Sequence, residues 1–257
     1  MVTDNHITIE VNDEYLYNLY KAKSTIWYFD HVIDNGFEGY NSIKFKNENE
    51  VFVWLENVET DGKYYKGTLV ENGQPHIISR DDAADWMVID NERMIGAYTI
   101  RHYYDTLTRD EQLSFENYCG CRIDHGNDFF KADRSTPEGA LMTLENFYND
   151  RNWDGILSCK DFYWEAENVM LEHAMIFEPK TRLQLANVLK VSLQEDLGNK
   201  AFPKFEAIER VFNLLERRGE QELIEEKLIY ADGFVTVNKF WVGLTENDGW
   251  KVLNLED

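Results

Sequence analysis

Residues 51–70 read VFVWLENVETDGKYYKGTLV, and this stretch decides the fold class of the first half of the chain. Val51-Phe-Val-Trp-Leu55 is an apolar run placed directly after a polar turn, Asn47-Glu-Asn-Glu50. Thr60-Asp-Gly-Lys63 is a hairpin signal, because Asp-Gly readily takes the positive φ angles of a tight turn. It joins Val51–Glu59 to Tyr64–Val70, and Glu71-Asn-Gly-Gln74 repeats the signal one strand later. Residues 38–79 are therefore expected to form an antiparallel meander. Upstream, Asn12 or Asp13 can cap a helix over residues 12–33, where Tyr15, Leu16, Leu19, Tyr20 and Ala22 fall at helical spacing. Gly36 ends that helix, which is expected to cover one face of the meander.

Downstream, Arg80-Asp-Asp-Ala-Ala-Asp85 reads as a turn leading into a strand through Trp86-Met-Val88. Residues 99–107 have a helical pattern, and Thr108-Arg-Asp-Glu111 has capping-box spacing for a short helix towards Tyr118. Residues 119–134 mix Gly, Asp, Asn and basic residues without a period. Ser135-Thr136-Pro137-Glu138 restarts the chain as a helix, with Pro in the first turn and an acid behind it. Further helices are expected near 152–158 and 160–175, over 179–197, and over 205–218, the last ended by Gly219. Strands follow at 222–231, 234–244 and 249–255, turned by Asp232-Gly233 and Asn247-Asp-Gly249. Helices followed by an antiparallel meander define an α+β domain. The expected organisation is α+β in two domains: residues 1–121, a linker over 122–134, and residues 135–257. Each is an antiparallel curved sheet packed with helices.

The 257 residues carry 48 Asp+Glu against 26 Lys+Arg, a net charge of −22. Up to Arg134 there are 25 acidic and 13 basic residues, and beyond it 23 and 13. The acidity therefore belongs to both halves and is not a tail. Such a field repels phosphate backbones, which argues against nucleic-acid binding, and it speeds encounter with a basic protein. The same charge would also serve solubility alone. No stretch approaches the roughly 20 apolar residues that span a bilayer. The N-terminus lacks the basic and apolar regions of a secretory signal. Three cysteines, an odd number, fit a reducing cytoplasm better than a disulfide framework.

The motifs of chemistry are sparse. The chain has no G-x-G-x-x-G, no phosphate-binding loop with a G-K-[ST] end, and no G-x-S-x-G elbow. Cys119-Gly-Cys121 with His125 offers three metal-type ligands but not the fourth that structural zinc requires. The expectation is no metal and no cofactor. Asp85 beside Trp86 is the best single candidate for a perturbed carboxylate, set against the plainer reading of a solvated turn acid. Asp161, Glu165 and Glu167 surround Tyr163 and Trp164, and Asp161 and Glu165 share a helix face that could line a cleft. Solvated helix acids explain them equally well. Arg101-His102 lacks a nucleophile nearby, and the catalytic set is expected to be empty. Two acidic clusters remain, Asp81, Asp82 and Asp85, and Glu220, Glu222, Glu225 and Glu226. They are the expected contact residues for Lys and Arg on a partner, against the reading of a solvated face.

The pattern Val53-Trp-Leu55, Tyr65-Lys-Gly-Thr-Leu69, Asp85-Trp-Met87 and Gly96-Ala-Tyr-Thr-Ile-Arg101 resembles the YegJ-like domains of unknown function over residues 14–118. Thr136-Pro-Glu-Gly-Ala140, Phe147-Tyr-Asn-Asp150, Cys159-Lys-Asp-Phe162 and Glu165-Ala166, with the closing Phe240-Trp-Val242 and Gly249-Trp-Lys-Val252, are similar to the nuclear-transport-factor-2-like superfamily. The version in question is the one that acts as an immunity protein. That resemblance implies a cone-like second domain and, with the charge, a protein that binds and neutralises a co-encoded bacterial toxin or secreted effector. The alternative it carries is a small-molecule binder, isomerase or hydrolase-like enzyme using the cone pocket. A third reading is an adaptor of two interaction domains.

Overall fold

A computed structural model describes residues 11–123, 126–199, 203–206 and 208–256. The chain divides into two compact units, Met1–Phe129 and Phe130–Asp257. Both mix helix with sheet, as the α+β reading requires; the pairing is antiparallel except at the edge of the first sheet, where residues 93–94 and 122–123 pair in parallel.

The first unit opens with helix α1 (Asp13–Asp34), whose N-cap Asn12 accepts a hydrogen bond from the Tyr15 amide at 2.8 Å. The strands β1 (Tyr40–Lys46), β2 (Phe52–Thr60), β3 (Tyr64–Leu69) and β4 (Pro75–Ser79) follow as the expected meander. A 3₁₀ turn over Arg80–Asp82 leads into β5 (Ala83–Asp90) and β6 (Arg93–Gly96), then helices α2 (Tyr98–Asp105) and α3 (Arg109–Cys119), and β7 (Arg122–Ile123). These strands form one seven-stranded sheet in the order β4-β3-β2-β1-β5-β6-β7. Strand β1 lies inside it and is buried on both faces. On one face α1 delivers Ala22, Ile26 and Phe29 onto Ile43, Leu55, Tyr65 and Trp86. On the other, Met87, Met94 and Ala97 meet Tyr104, Cys121 and Ile123.

Within the expected linker, the described residues 122–123 and 126–129 belong to the first unit, and 130–134 to the second. Strand β7 pairs with β6, Trp27 Nε1 donates to the Phe129 carbonyl at 2.7 Å, and the Tyr28 and Phe129 rings stack at 3.5 Å. Asp128 accepts from the buried Lys21 ammonium at 2.8 Å and faces Arg101 at 3.7 Å. Aperiodic composition there reflects a segment held by side chains and a two-residue strand, which leaves no period to read.

The second unit begins with helices α4 (Pro137–Asn149), α5 (Trp153–Ser158), α6 (Phe162–Glu172) and α7 (Pro179–Asn199). The strands β8 (Ile208–Arg218), β9 (Gln221–Tyr230), β10 (Val235–Thr245) and β11 (Gly249–Glu256) then form a sheet in the order β11-β10-β9-β8. Helix α4 packs across β9, β10 and β11. The expected helix over 205–218 is instead β8. Its apolar residues Ile208, Val211, Phe212 and Leu215 imitate helical spacing, and Glu, Arg and Leu all favour helix. The register against β9 shifts between Leu214 and Glu216, so the strand's own alternation is broken. Ladder pairing with β9 overrides the local preference.

Candidate functional site

Asp85 is not a solvated turn acid. It sits on β5 with 0% exposure. Its Oδ1 accepts from the Trp86 amide at 2.8 Å and the Tyr98 amide at 3.2 Å. Its Oδ2 accepts from the Thr99 amide at 2.8 Å and the Thr99 hydroxyl at 2.7 Å. The carboxylate therefore caps α2 from a neighbouring strand, a role the helix's own N-cap, Ala97, has no side chain to fill. Lys44 completes the group, its ammonium 3.0 Å from the Thr99 hydroxyl and 5.0 Å from the Phe52 ring centre. Burial pushes the Asp85 carboxyl up from its ordinary value, against the pull of the Thr99 hydrogen bonds and Lys44. Every lone pair is committed to structure, and none faces a partner or substrate.

Arg101 and His102 are likewise buried on α2. Arg101 lies over the Tyr98 ring at 5.2 Å, and the His102 ring is 5.6 Å from that of Tyr15. In the second unit, Asp161 caps α6 by accepting from the Trp164 amide at 2.9 Å. Glu165 pairs with Lys160 at 3.0 Å, and Glu167 with Arg182 at 2.5 Å. These acids serve a helix end and ion pairs. Cys119 is half-buried and Cys121 buried, while His125 lies outside the described residues. Among the described residues no three His, Cys, Asp or Glu side chains gather as metal ligands.

The acidic clusters divide by exposure. Asp81 and Asp82 stand exposed on the 3₁₀ turn after β4. Glu220 is exposed at the β8–β9 turn, Glu222 pairs with Arg217 at 2.9 Å, and Glu225 accepts from Asn213 at 3.1 Å. Glu226, next along β9, points the opposite way, as strand geometry demands of a neighbour, and is 2% exposed. Asp85 and Glu226 are thus removed from any contact surface.

Glu226 instead meets Glu145 of α4. Glu145 accepts from Arg210 Nε at 2.8 Å and Nη2 at 2.6 Å. The two carboxyls are buried neighbours, and the Glu145 charge makes it harder to charge Glu226. Burial and then the Glu145 charge hold the Glu226 carboxyl well above its ordinary value, and burial raises Glu145 too, against the pull of Arg210. Sequence reading missed this pair, although Glu145 falls four residues after Leu141 inside the apolar stripe of its helix, and a charge there is the signal.

A surface hollow of about 500 Å³ lies on the sheet of the first unit. Phe45 of β1, Val53 of β2, Leu69 of β3 and Ile78 of β4 contribute to its apolar lining, and His76 stacks on Phe45 at 5.2 Å. Three separate connections each bring one acid to it: Glu48 from β1–β2, Glu71 from β3–β4 and Asp82 from the 3₁₀ turn. All three are exposed and, among the described residues, none is ion-paired. Lys46, the one lysine of the lining, is held by Glu50 at 2.8 Å. Of the sequence candidates only Asp82 belongs here. Glu48 and Glu71 were unmarked because the three acids meet only once the meander has formed.

Residues 19–123 match the family described as an uncharacterized protein conserved in bacteria (DUF2314). The first half is therefore similar to a bacterial family of unknown function. No curated protein and no solved structure matches the chain.

Proposed function

We propose that the chain is an immunity protein that binds a basic, co-encoded bacterial toxin or secreted effector in the cytoplasm and neutralises it. The observation that carries this reading is the net charge of −22, spread over both halves of the chain. An acidic surface steers a basic partner into encounter and can stand in for an anionic substrate. The end of α6 and the turn to α7 add apolar contact area, with Leu171, Ile176 and Phe177 exposed. Among the described residues no helix is long and apolar enough to cross a membrane. The resemblance of the first half to YegJ-like domains supports the same reading. So does that of the second half to the cone of nuclear-transport-factor-2-like immunity proteins, where helices precede a meander on which α4 lies.

The test is a pull-down with the tagged full chain at low and at moderate salt. The expected result is one stoichiometric basic protein, toxic when expressed alone, whose binding weakens with salt. Reversing the charge of Asp81, Asp82, Glu222 and Glu225 should weaken it further. Capture that ignores both salt and reversal would sink the electrostatic reading.

A second reading, a small-ligand binder or isomerase-like enzyme working inside the second unit, is favoured by the Glu145–Glu226 pair. A buried carboxyl whose pKa is raised beside a second buried carboxyl is a group able to give and take a proton. A small-molecule screen by thermal shift on the wild type and on E226Q tests it, and hits that bind both proteins equally would set it aside.

A further inference from the structure

Strand β4 is the outermost strand of its sheet among the described residues, and its ladder to β3 is fixed at both ends. The Leu69 amide donates to the Gln74 carbonyl at 2.9 Å, and the Arg80 amide to the Lys63 carbonyl at 3.0 Å. With the register Gly67↔His76 and Tyr65↔Ile78, residues 74, 76, 78 and 80 spend their main-chain groups on β3. Pro75, Ile77 and Ser79 therefore turn theirs outward. Proline at 75 loses no ladder bond, because its missing N–H would have pointed away. Ile77, 59% exposed, and Ser79 are left with outward donors and acceptors, the template to which an extended chain adds.

The hollow lies beside this edge, on the face to which His76 and Ile78 point. An apolar anchor placed in it would strip water from Glu48, Glu71 and Asp82 without replacing their partners, and an acidic one would be repelled. A lysine or arginine satisfies both requirements. Its alkyl stem covers Phe45, Val53, Leu69 and Ile78, and its cationic head reaches the carboxylates. The volume lies within the range of about 300–1,000 Å³ usual for ligand sites.

We propose that the outer edge of β4 and this hollow together receive an extended, basic segment of the partner protein, with one lysine or arginine side chain seated among Glu48, Glu71 and Asp82. The proposal rests on the reading that the partner is a basic protein, and it adds where and how that partner is held.

Fluorescence anisotropy of the full chain with a labelled peptide of alternating valine and arginine tests it, beside a peptide with glutamate in place of arginine. The arginine peptide binds and the glutamate peptide does not. The triple variant E48Q, E71Q, D82N weakens binding by at least about tenfold, as expected for a central anchor. A control triple variant, E172Q, E178Q, E195Q, removes the same charge from exposed positions of the second unit and changes binding less than about twofold. Ile77→Pro, which keeps the β3 ladder but removes an outward N–H, also weakens binding about tenfold. Equal losses in the two triple variants, or full binding by Ile77→Pro, would overturn the site.

The same variants are then run against the captured partner. A partner retained by all of them removes the hollow and leaves the neutralising function standing. Hollow-dependent peptide binding with no captured partner does the reverse.

Discussion

Asp85 accepts two hydrogen bonds from Thr99, fourteen positions along the chain, one from its amide and one from its hydroxyl. A strand side chain thereby does the work of a helix cap, and Lys44 is buried against the same hydroxyl. Asp85→Ala should cost about 3–5 kcal/mol, because it leaves the buried Lys44 ammonium without a nearby counter-charge and two α2 amides without their acceptor. Asp85→Asn keeps one acceptor oxygen and should cost less. Urea denaturation followed by tryptophan fluorescence reads the difference. A loss below about 1 kcal/mol for Asp85→Ala would show that α2 is held otherwise.

Gly96 precedes α2 at φ +76°, and a Cβ there would lie 2.5 Å from the Trp86 ring. Gly96→Ala meets both the backbone penalty and the clash, and Trp86 is fully buried and cannot yield. The expected cost is at least about 2 kcal/mol, with a red-shifted tryptophan emission as the ring loses its packing.

A chain ending at Phe129 should fold cooperatively, and one ending at Cys121 should not. The shorter chain lacks Asp128, leaving Lys21 buried without that counter-charge, and lacks the Phe129 carbonyl that Trp27 uses. Circular dichroism melting of the two chains distinguishes them, and equal cooperativity would refute the argument.

The Glu226 carboxyl is raised well above its ordinary value of 4.5 in the folded state. Between that value and its folded one the native state holds a proton the unfolded chain has released. Stability of the second unit therefore falls as pH rises through this window. Glu145 is raised in the same direction by burial. E226Q, an uncharged donor to Glu145, should flatten the fall. Thermal midpoints measured from pH 4.5 through neutrality on wild type and variant check the sign, and parallel curves would contradict it.

Burial holds the thiols of Cys121 and Cys159 above their usual range and pushes Cys119 up to about 11. Alkylation by iodoacetamide at neutral pH should be slow at all three and should accelerate as pH rises, since the thiolate is the nucleophile. Rapid labelling of Cys121 in the native protein would show that its surroundings open.

Elements whose signals are local were legible in the sequence. The Asn12 cap, the two hairpins around residues 60–63 and 71–74, and the Thr136-Pro137 helix start are set by a few adjacent residues. Strand β8 was not legible, because its period is broken by a register shift that only β9 imposes. The roles of Asp85 and Glu226 were hidden for a related reason. A carboxylate in an acidic run looks the same whether its strand turns it outward or inward, and only the pairing partner decides. Of the hollow, only Asp82 could be marked in advance. Its other carboxylates come from distant turns, and the open edge beside it exists only in the assembled sheet.

The pairing of Lys21 with Asp128 spans 107 positions and so bears on synthesis as well as on stability. As the chain emerges from the ribosome, α1 is among the first elements available, yet its lysine finds this counter-ion only when the last two residues of the first unit appear. Without that counter-ion, closing the helix over the sheet would bury a charge lacking this partner, so residues 126–129 belong to the folding unit that α1 opens and are not a dispensable tail.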